Sequence, residues 1–389
     1  MNRSLYVIKR MVMVKIVIVT HSVIKTNGQG LVNYQIAEKA LKEKKEVVLV
    51  ASEIDKELLK YSKMTWIKIN PSKIKTALIR NQIFAIKASS WIKKNVHKND
   101  ILLVNGFIVW NKSDVNCVHF VHTTWRKSKF NQSTYNIKGI YHKAYSFINS
   151  ILEKRSFNKS KVLVAVSEQI KKELEEIGVP SRKIEVISNG VDLDTFHPGK
   201  SHLNIKSNFK EKEGVLGLFA GDLTSYRKNL DTVLNSMKNI PNFLLVVAGD
   251  IKGSPFPEMV KELGLEHRVK FLGFRKDLPE LMKECDLFIF PSRYEPFALV
   301  ILEAMATGKP VITANTVGAA NLVKTTGENI SGIVLKDPDD VKEVELTLNR
   351  VVKDRGLLNI MGINGRKIAE NFSWNHITDE YMKLLIKNK

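Results

Sequence analysis

Cysteine is nearly absent: Cys117 and Cys285 are the only two in 389 residues, and both sit inside apolar runs. That excludes a disulfide framework and fits two core thiols in a reduced, cytoplasmic setting. No uncharged apolar stretch reaches the roughly 18 residues that a membrane-spanning helix needs. The opening MNRSLYVIKRMVMVKIVIVT is interrupted by Lys9, Arg10 and Lys15, and no small-residue cleavage site follows. It therefore reads as a buried strand over 14–20 rather than a secretory leader. Tracts rich in Pro, Ser or Gly are also lacking, so the whole chain is expected to fold, and its length suggests two domains.

Acidic residues are scarce in one half only. Residues 1–190 hold 34 Lys and Arg against 14 Asp and Glu, whereas residues 191–389 hold 27 against 26, so nearly all of the net charge of +21 sits in the first half. Such a one-sided field favours an anionic partner there. Residues 73–94, KIKTALIRNQIFAIKASSWIKK, interleave Ile74, Leu78, Phe84, Ile86, Trp91 and Ile92 with cations, and residues 125–130, WRKSKF, add three more. Reversible docking on an anionic membrane surface is one expectation. A helix that covers a sheet with its lysines in water is the other.

Short β-branched runs alternate with helical patterns, the signature of βα units and a parallel sheet. The runs fall at 15–20, 46–51, 65–69, 101–105, 116–122, 162–167 and 184–187, then at 215–220, 244–248, 269–273, 287–291, 311–314 and 332–335. The expected fold class is α/β, with two Rossmann-like doubly wound domains facing across a cleft. The polar stretch around His197, Pro198 and Gly199 suggests a junction, with an N-terminal domain at 1–195 and a C-terminal domain at 196–371.

The densest chemistry lies in 286–308, DLFIFPSRYEPFALVILEAMATG, where a buried strand leads through a loop into a helix. Glu295 and Glu303 stand eight residues apart. Pro296 suits a first helical turn, and the amides of Phe297, Ala298 and Leu299 would then form an anion site at the helix N-terminus. Eight helical residues rise about 12 Å, enough for one carboxylate to hold each sugar of a sugar nucleotide. In 222–229, DLTSYRKN, Arg227 and Lys228 offer two cations to a leaving diphosphate.

The first of these segments resembles the Glu-x7-Glu motif of the family 4 retaining glycosyltransferases, which have the GT-B fold. Asn189-Gly190-Val191-Asp192 with Phe196 resembles their interdomain element, residues 221–229 their phosphate loop, and Gly249-Asp250 and Phe271-Leu272-Gly273 their base-pocket strands. The likeness runs from about Val14 to the C-terminus. It implies that Glu303 accepts from ribose hydroxyls, that Glu295 binds the donor sugar, and that amides near Ala298 and Leu299 meet the diphosphate. It also implies that His122 contacts the sugar near its reacting end, that Gly30 in the Asn27-Gly28-Gln29-Gly30 loop permits close approach to the donor, and that the last helix, 372–389, packs on the N-terminal domain. Arg275 and Asp250 fall near the loops that would choose the base. Two positions depart from the pattern: Ala298 stands where the family usually has Gly, and Asp222 where it usually has Arg, leaving Arg227 as the substitute.

His119 and His122 do not suggest zinc, because residues three apart on a strand point to opposite faces. No metal or other cofactor is expected, and the resemblance implies a UDP- or GDP-sugar as co-substrate and a glycan or lipid-linked acceptor, in cell-surface polysaccharide or lipopolysaccharide synthesis. Lys228 and Glu303 are expected to line a solvated cleft. Two alternatives share the fold: a nucleotide-sugar epimerase, and a phosphorylase, which would need a pyridoxal lysine and a longer chain. A nucleic-acid-binding protein is the reading from charge alone, but no helix-turn-helix, aromatic sheet motif or basic stripe supports it.

Overall fold

The computed structural model describes residues 14–71, 76–128, 137–209 and 213–388. Among the described residues fifteen strands are formed: β1 (Lys15–Val19), β2 (Ser22–Val23), β3 (Glu46–Ala51), β4 (Glu53–Ile54), β5 (Met64–Lys68), β6 (Ile101–Asn105), β7 (Ser113–Val118), β8 (Ser160–Ala165), β9 (Ile184–Val186), β10 (Val215–Ala220), β11 (Phe243–Ala248), β12 (Val269–Gly273), β13 (Leu287–Phe290), β14 (Val311–Ala314) and β15 (Gly332–Leu335). A seven-stranded sheet runs β5-β3-β1-β6-β7-β8-β9, a six-stranded sheet runs β12-β11-β10-β13-β14-β15, and β2 pairs with β4 alone. In the six-stranded sheet every neighbouring pair is parallel.

Both large sheets reverse their winding once, beside β1 and beside β10. These are doubly wound sheets, in which ligands bind beyond the carboxyl ends of the strands where the order reverses. In the second sheet that point lies between β10 and β13, so the loops that begin at Gly221 and Pro291 flank the crevice. The strands form because β-branched and aromatic residues are buried on both faces, as in β10, β11 and β13, where every residue is buried.

The strand expected at 116–122 is instead β7, Ser113–Val118. Its pairing with β6 runs from Leu103 with Val115 to Asn105 with Cys117, after which Gly106 takes φ +60° and β6 turns away. With its pairing on the β6 side ended and only β8 beside it, the chain leaves the sheet. His119 and His122 are therefore not on a strand, and His122 opens the helix His122–Lys127.

The helix Ala77–Asn95 covers the first sheet: Phe84 and Ile92 are buried in its core and Trp91 packs against it, while Ile79 and Ile86 are exposed. The apolar residues of the interleaved pattern are thus largely spent on the sheet. Lys73, Ile74, Lys75, Lys129 and Phe130 lie outside the described residues. No helix among the described residues is long and apolar enough to cross a membrane.

The chain divides into two compact units, one drawn from 1–118, 148–164 and 378–389, the other from 119–147 and 165–377. The first therefore includes the end of the C-terminal helix Trp374–Lys387, whose Tyr381, Met382 and Leu385 are buried and whose Asp379 pairs with Lys39 at 2.5 Å. Each such apolar side chain contributes roughly 1.5–3 kcal/mol by burial. Deleting residues 378–388 is expected to lower the melting transition of the first unit and leave that of the second. Differential scanning calorimetry checks it, and a scan like that of the full chain would contradict it.

Candidate active site

The loop after β10 begins at Gly221, where an added Cβ would come within 3.3 Å of Phe290. Asp222 folds the loop on itself, accepting from the Thr224 amide at 2.9 Å and its hydroxyl at 2.7 Å. Its carboxyl lies below the usual range: burial opposes the charge, but Thr224, Arg227 and Lys228 together outweigh it. Asp222 thus serves as a turn former at the position where the family has an arginine.

A short 3₁₀ turn, Tyr226–Lys228, carries the two cations and ends on Asn229 at φ +66°. Asparagine tolerates this left-handed region better than most residues. Asn229 is wholly buried, donating to the carbonyls of Pro291, at 3.0 Å, and Pro338 and accepting from Thr232 at 2.6 Å. The Lys228 stem is thereby aimed inward, with its ammonium bonded to Glu295 and 5.1 Å above the Phe290 ring. Lys228 is 9% exposed rather than lining a solvated wall, because its methylenes and charge both find partners inside. Burial pulls its pKa down, aided by Arg227 and opposed by Glu295. Arg227 donates to the same Glu295 oxygen at 2.8 Å and to the Tyr294 carbonyl at 3.1 Å.

Arg293 ties this turn to the loop after β13. Its guanidinium forks onto Asp231 at 2.8 and 2.7 Å, reaches Asp339 at 2.6 Å and donates to the Tyr226 carbonyl. The Arg227 carbonyl in turn accepts from the Arg293 amide at 2.9 Å and the Ser292 hydroxyl at 3.0 Å. Planar bidentate pairing of this kind fixes geometry as well as charge.

Residues 295–297 are held from the other side. Glu295 donates its amide to the Thr316 carbonyl at 3.2 Å, and the amides of Gly318 and Ala319 donate to the carbonyls of Glu295 and Phe297 at 2.8 and 2.9 Å. Ser167 donates its hydroxyl to the Pro296 carbonyl at 2.7 Å. Pro296 and Phe297 therefore precede the helix instead of forming its first turn. The helix begins at Leu299, because Ala298 caps it at φ +76° and ψ +84°, outside helical space. Only part of the Glu295 to Glu303 span is helical, so the 12 Å rise expected from eight helical residues does not apply. Phe297 is buried. The amides of Ala298 and Leu299 have no acceptor among the described residues, as at any open helix N-terminus.

A left-handed alanine costs about 1 kcal/mol relative to glycine, somewhat more than the extra chain entropy that glycine loses on folding. Ala298→Gly is expected to raise the unfolding free energy by about 0.5 kcal/mol. Chemical denaturation reads it, and a loss of stability would show that the strain lies elsewhere.

Glu303 is half-buried on the helix Leu299–Ala306, and its carboxylate has no hydrogen bond or ion pair to any described residue. Burial pushes its pKa up to about 7.

His122 packs edge-on against Phe120 at 4.9 Å, and Phe120 packs edge-on against Tyr294 at 5.7 Å, so the imidazole shares an aromatic cluster with the residue before Glu295. Burial lowers its pKa to about 4, leaving it neutral at pH 7. Tyr294 also packs against Trp125 and donates to Glu173 at 3.0 Å. Arg275, just beyond β12, is paired with Asp277, its Nε donating at 2.7 Å. Gly30 belongs to the first unit. An added Cβ there would come within 2.8 Å of both the Ile24 carbonyl and the Asn27 side chain, which caps the helix Gly28–Lys42 by accepting from the Gly30 amide. The close approach that Gly30 permits in this structure is that of its own turn. No group of three or more potential metal ligands occurs among the described residues.

Sequence reasoning did not find Arg293, Asp231, Asp339 or Gly318. Arg293 lies inside the motif, but its carboxylate partners are 62 and 46 residues away. Gly318 carries no sequence signal beyond being a glycine after an apolar run, yet an added Cβ would sit 1.9 Å from the Pro296 carbonyl oxygen.

Comparison with known proteins matches residues 26–195 to glycosyltransferase family 4 and residues 201–368 to the glycosyl transferases group 1. An uncharacterized glycosyltransferase of Methanocaldococcus jannaschii is 33% identical over 59% of this chain and 60% of its own length. The UDP-Gal:alpha-D-GlcNAc-diphosphoundecaprenol alpha-1,3-galactosyltransferase of Escherichia coli is 32% identical over 55% of this chain and 56% of its own. The matches thus span less than two thirds of these relatives. Among solved structures, WaaG, a glycosyltransferase involved in lipopolysaccharide biosynthesis, superposes with a TM-score of 0.73 at 18% identity over 95% of this chain and 99% of its own. The Anabaena protein HepE, in complex with UDP and glucose, gives 0.70 at 20% identity over 96% and 99%. The two sheets are those of the GT-B fold, and the chain belongs to glycosyltransferase family 4 of the group 1 glycosyl transferases.

Proposed function

We propose that this protein is a retaining, metal-independent glycosyltransferase that moves a hexose-type sugar from a UDP- or GDP-sugar to a hydroxyl of a glycan or lipid-linked acceptor, in the synthesis of a cell-surface polysaccharide. One observation carries the reading: at the winding reversal of the six-stranded sheet, two cations and Glu295 meet beside an open helix N-terminus whose helix bears the unpartnered Glu303. Diphosphate suits the cations and the amides of Ala298 and Leu299, which would stabilise the leaving group. Sugar hydroxyls suit Glu295, ribose hydroxyls suit Glu303, and a neutral His122 suits contact near the reacting carbon. Residues 1–195 would then serve the acceptor and 196–371 the donor, with Arg275 near the base. The Escherichia coli relative acts with UDP-galactose on a lipid-linked diphosphate sugar, which supports a donor and an acceptor of these classes.

Calorimetric titration with UDP, GDP and their glucose and mannose conjugates, followed by transfer to lipid-linked acceptors, tests the reading. Binding of one base series is expected. Failure of all of them would overturn it.

Glu303 also gives donor binding a pH dependence. Its ionised form accepts two hydroxyls, whereas a proton removes part of that capacity. With a pKa near 7, affinity for the nucleoside diphosphate is expected to rise several-fold between pH 6 and 8, and Glu303→Gln should flatten this rise. For stability the sign is opposite. The folded carboxyl holds its proton more tightly than the unfolded one, so this group favours folding below about pH 4.5 and loses that contribution as pH rises through about 7. Equal pH slopes in the wild type and Glu303→Gln would contradict both statements.

A further inference from the structure

One oxygen of Glu295, Oε2, accepts from both Arg227 and Lys228, the two groups that the proposed reaction gives to the diphosphate. The same carboxylate is the group that the reading gives to the donor sugar. These two assignments compete. While Glu295 holds the cations, neither the diphosphate nor the sugar has its full set of partners.

Charge sharpens the conflict. A free nucleoside diphosphate ends in an ionised phosphate, whereas in a sugar nucleotide that oxygen is esterified, so two cations alone would hold the product more tightly than the donor. An anion already seated on the cations must be displaced by either ligand. The Glu295 side chain is 18% exposed, so a displaced carboxylate without new donors is a costly, poorly solvated charge. Both ligands carry the ribose hydroxyls that the reading gives to Glu303, but only the sugar nucleotide brings the hydroxyls of a second sugar to satisfy Glu295. Because the Glu295 backbone is pinned by Thr316 and Gly318, the exchange needs only a side-chain rotation.

We infer that Glu295 acts as an internal counterion that occupies Arg227 and Lys228 in place of the diphosphate, yields them to a ligand that also carries a sugar, and reclaims them once the sugar has gone. It is a specificity-determining residue that favours donor over spent nucleoside diphosphate and helps to expel the product. The inference rests on the reading under Proposed function.

The test is calorimetry on the full chain and on Glu295→Gln and Glu295→Ala, with UDP, GDP, UDP-glucose and GDP-mannose. Both variants are expected to bind the nucleoside diphosphate of the matching base about tenfold more tightly than the wild type, the size of one charge-assisted contact removed. Their preference for sugar nucleotide over diphosphate is expected to fall by at least as much. A general loosening of the fold would shift both ligands together. Unchanged or weaker diphosphate binding in variants with a normal melting temperature overturns the inference alone. A wild-type chain that binds none of the four ligands overturns the functional reading, and the inference with it.

Discussion

Lys228→Ala is expected to weaken binding of the nucleoside diphosphate by about two orders of magnitude, roughly 3 kcal/mol, because it removes a desolvated cation from the proposed diphosphate site. The side chain is buried, and its ammonium is bonded to Glu295. Removing it also leaves Glu295 with Arg227 as its remaining cation. A loss of about 1 to 2 kcal/mol of folding stability is therefore expected as well, from the missing stem and the weakened ion cluster. Calorimetry and chemical denaturation separate the two effects. Unchanged diphosphate affinity would remove Lys228 from the site, whatever happened to stability.

Gly318→Ala is expected to be the most disruptive single methyl in the second unit. The new Cβ would lie 1.9 Å from the Pro296 carbonyl oxygen and 2.7 Å from the Ser167 hydroxyl. A backbone oxygen cannot rotate away as a flexible side chain can, so the 295–297 loop or the Gly318–Leu322 turn must shift. Overpacking of this kind costs about 3 kcal/mol. The shift would also carry the amides of Ala298 and Leu299 away from the position that the reading gives to the diphosphate. Denaturation and diphosphate titration should therefore fail together. Gly106→Ala is the control, since that position has φ +60° but open space around an added Cβ. A milder loss is expected there. Near wild-type stability in Gly318→Ala would mean that the close approach is not retained in solution.

These two positions also show how far the sequence could be read. Alternating β-branched runs place the strands of both large sheets because burial on both faces imposes a composition as well as a period. Where a strand ends depends on its neighbour: β7 stops at Val118 because β6 turns away at Gly106, and no local pattern in 116–122 records that event. The helix starts at Leu299 and not at Pro296 for a related reason. Pro296 is a good first-turn residue, but the hydrogen bonds from 316–319 and Ser167 draw residues 295–297 out of helical geometry. Lys228 and Glu295 were legible as charged residues near strand ends. Their mutual pairing was not, since an ion pair across 67 residues follows from the winding order of the sheet. Arg293 looked like any polar residue in a loop until its two carboxylates arrived from elsewhere.

The first unit contains both the strand at Lys15–Val19 and the end of the last helix. The segments that complete the second unit are made before residues 378–388, so that unit has its full set of residues first. The first unit begins earlier and finishes later. Until the buried Tyr381, Met382 and Leu385 arrive, it must wait with part of its apolar surface uncovered. A chain cut before residue 378 would therefore expose its earliest-made half to chaperones and proteases, while the later-made half kept every residue it needs.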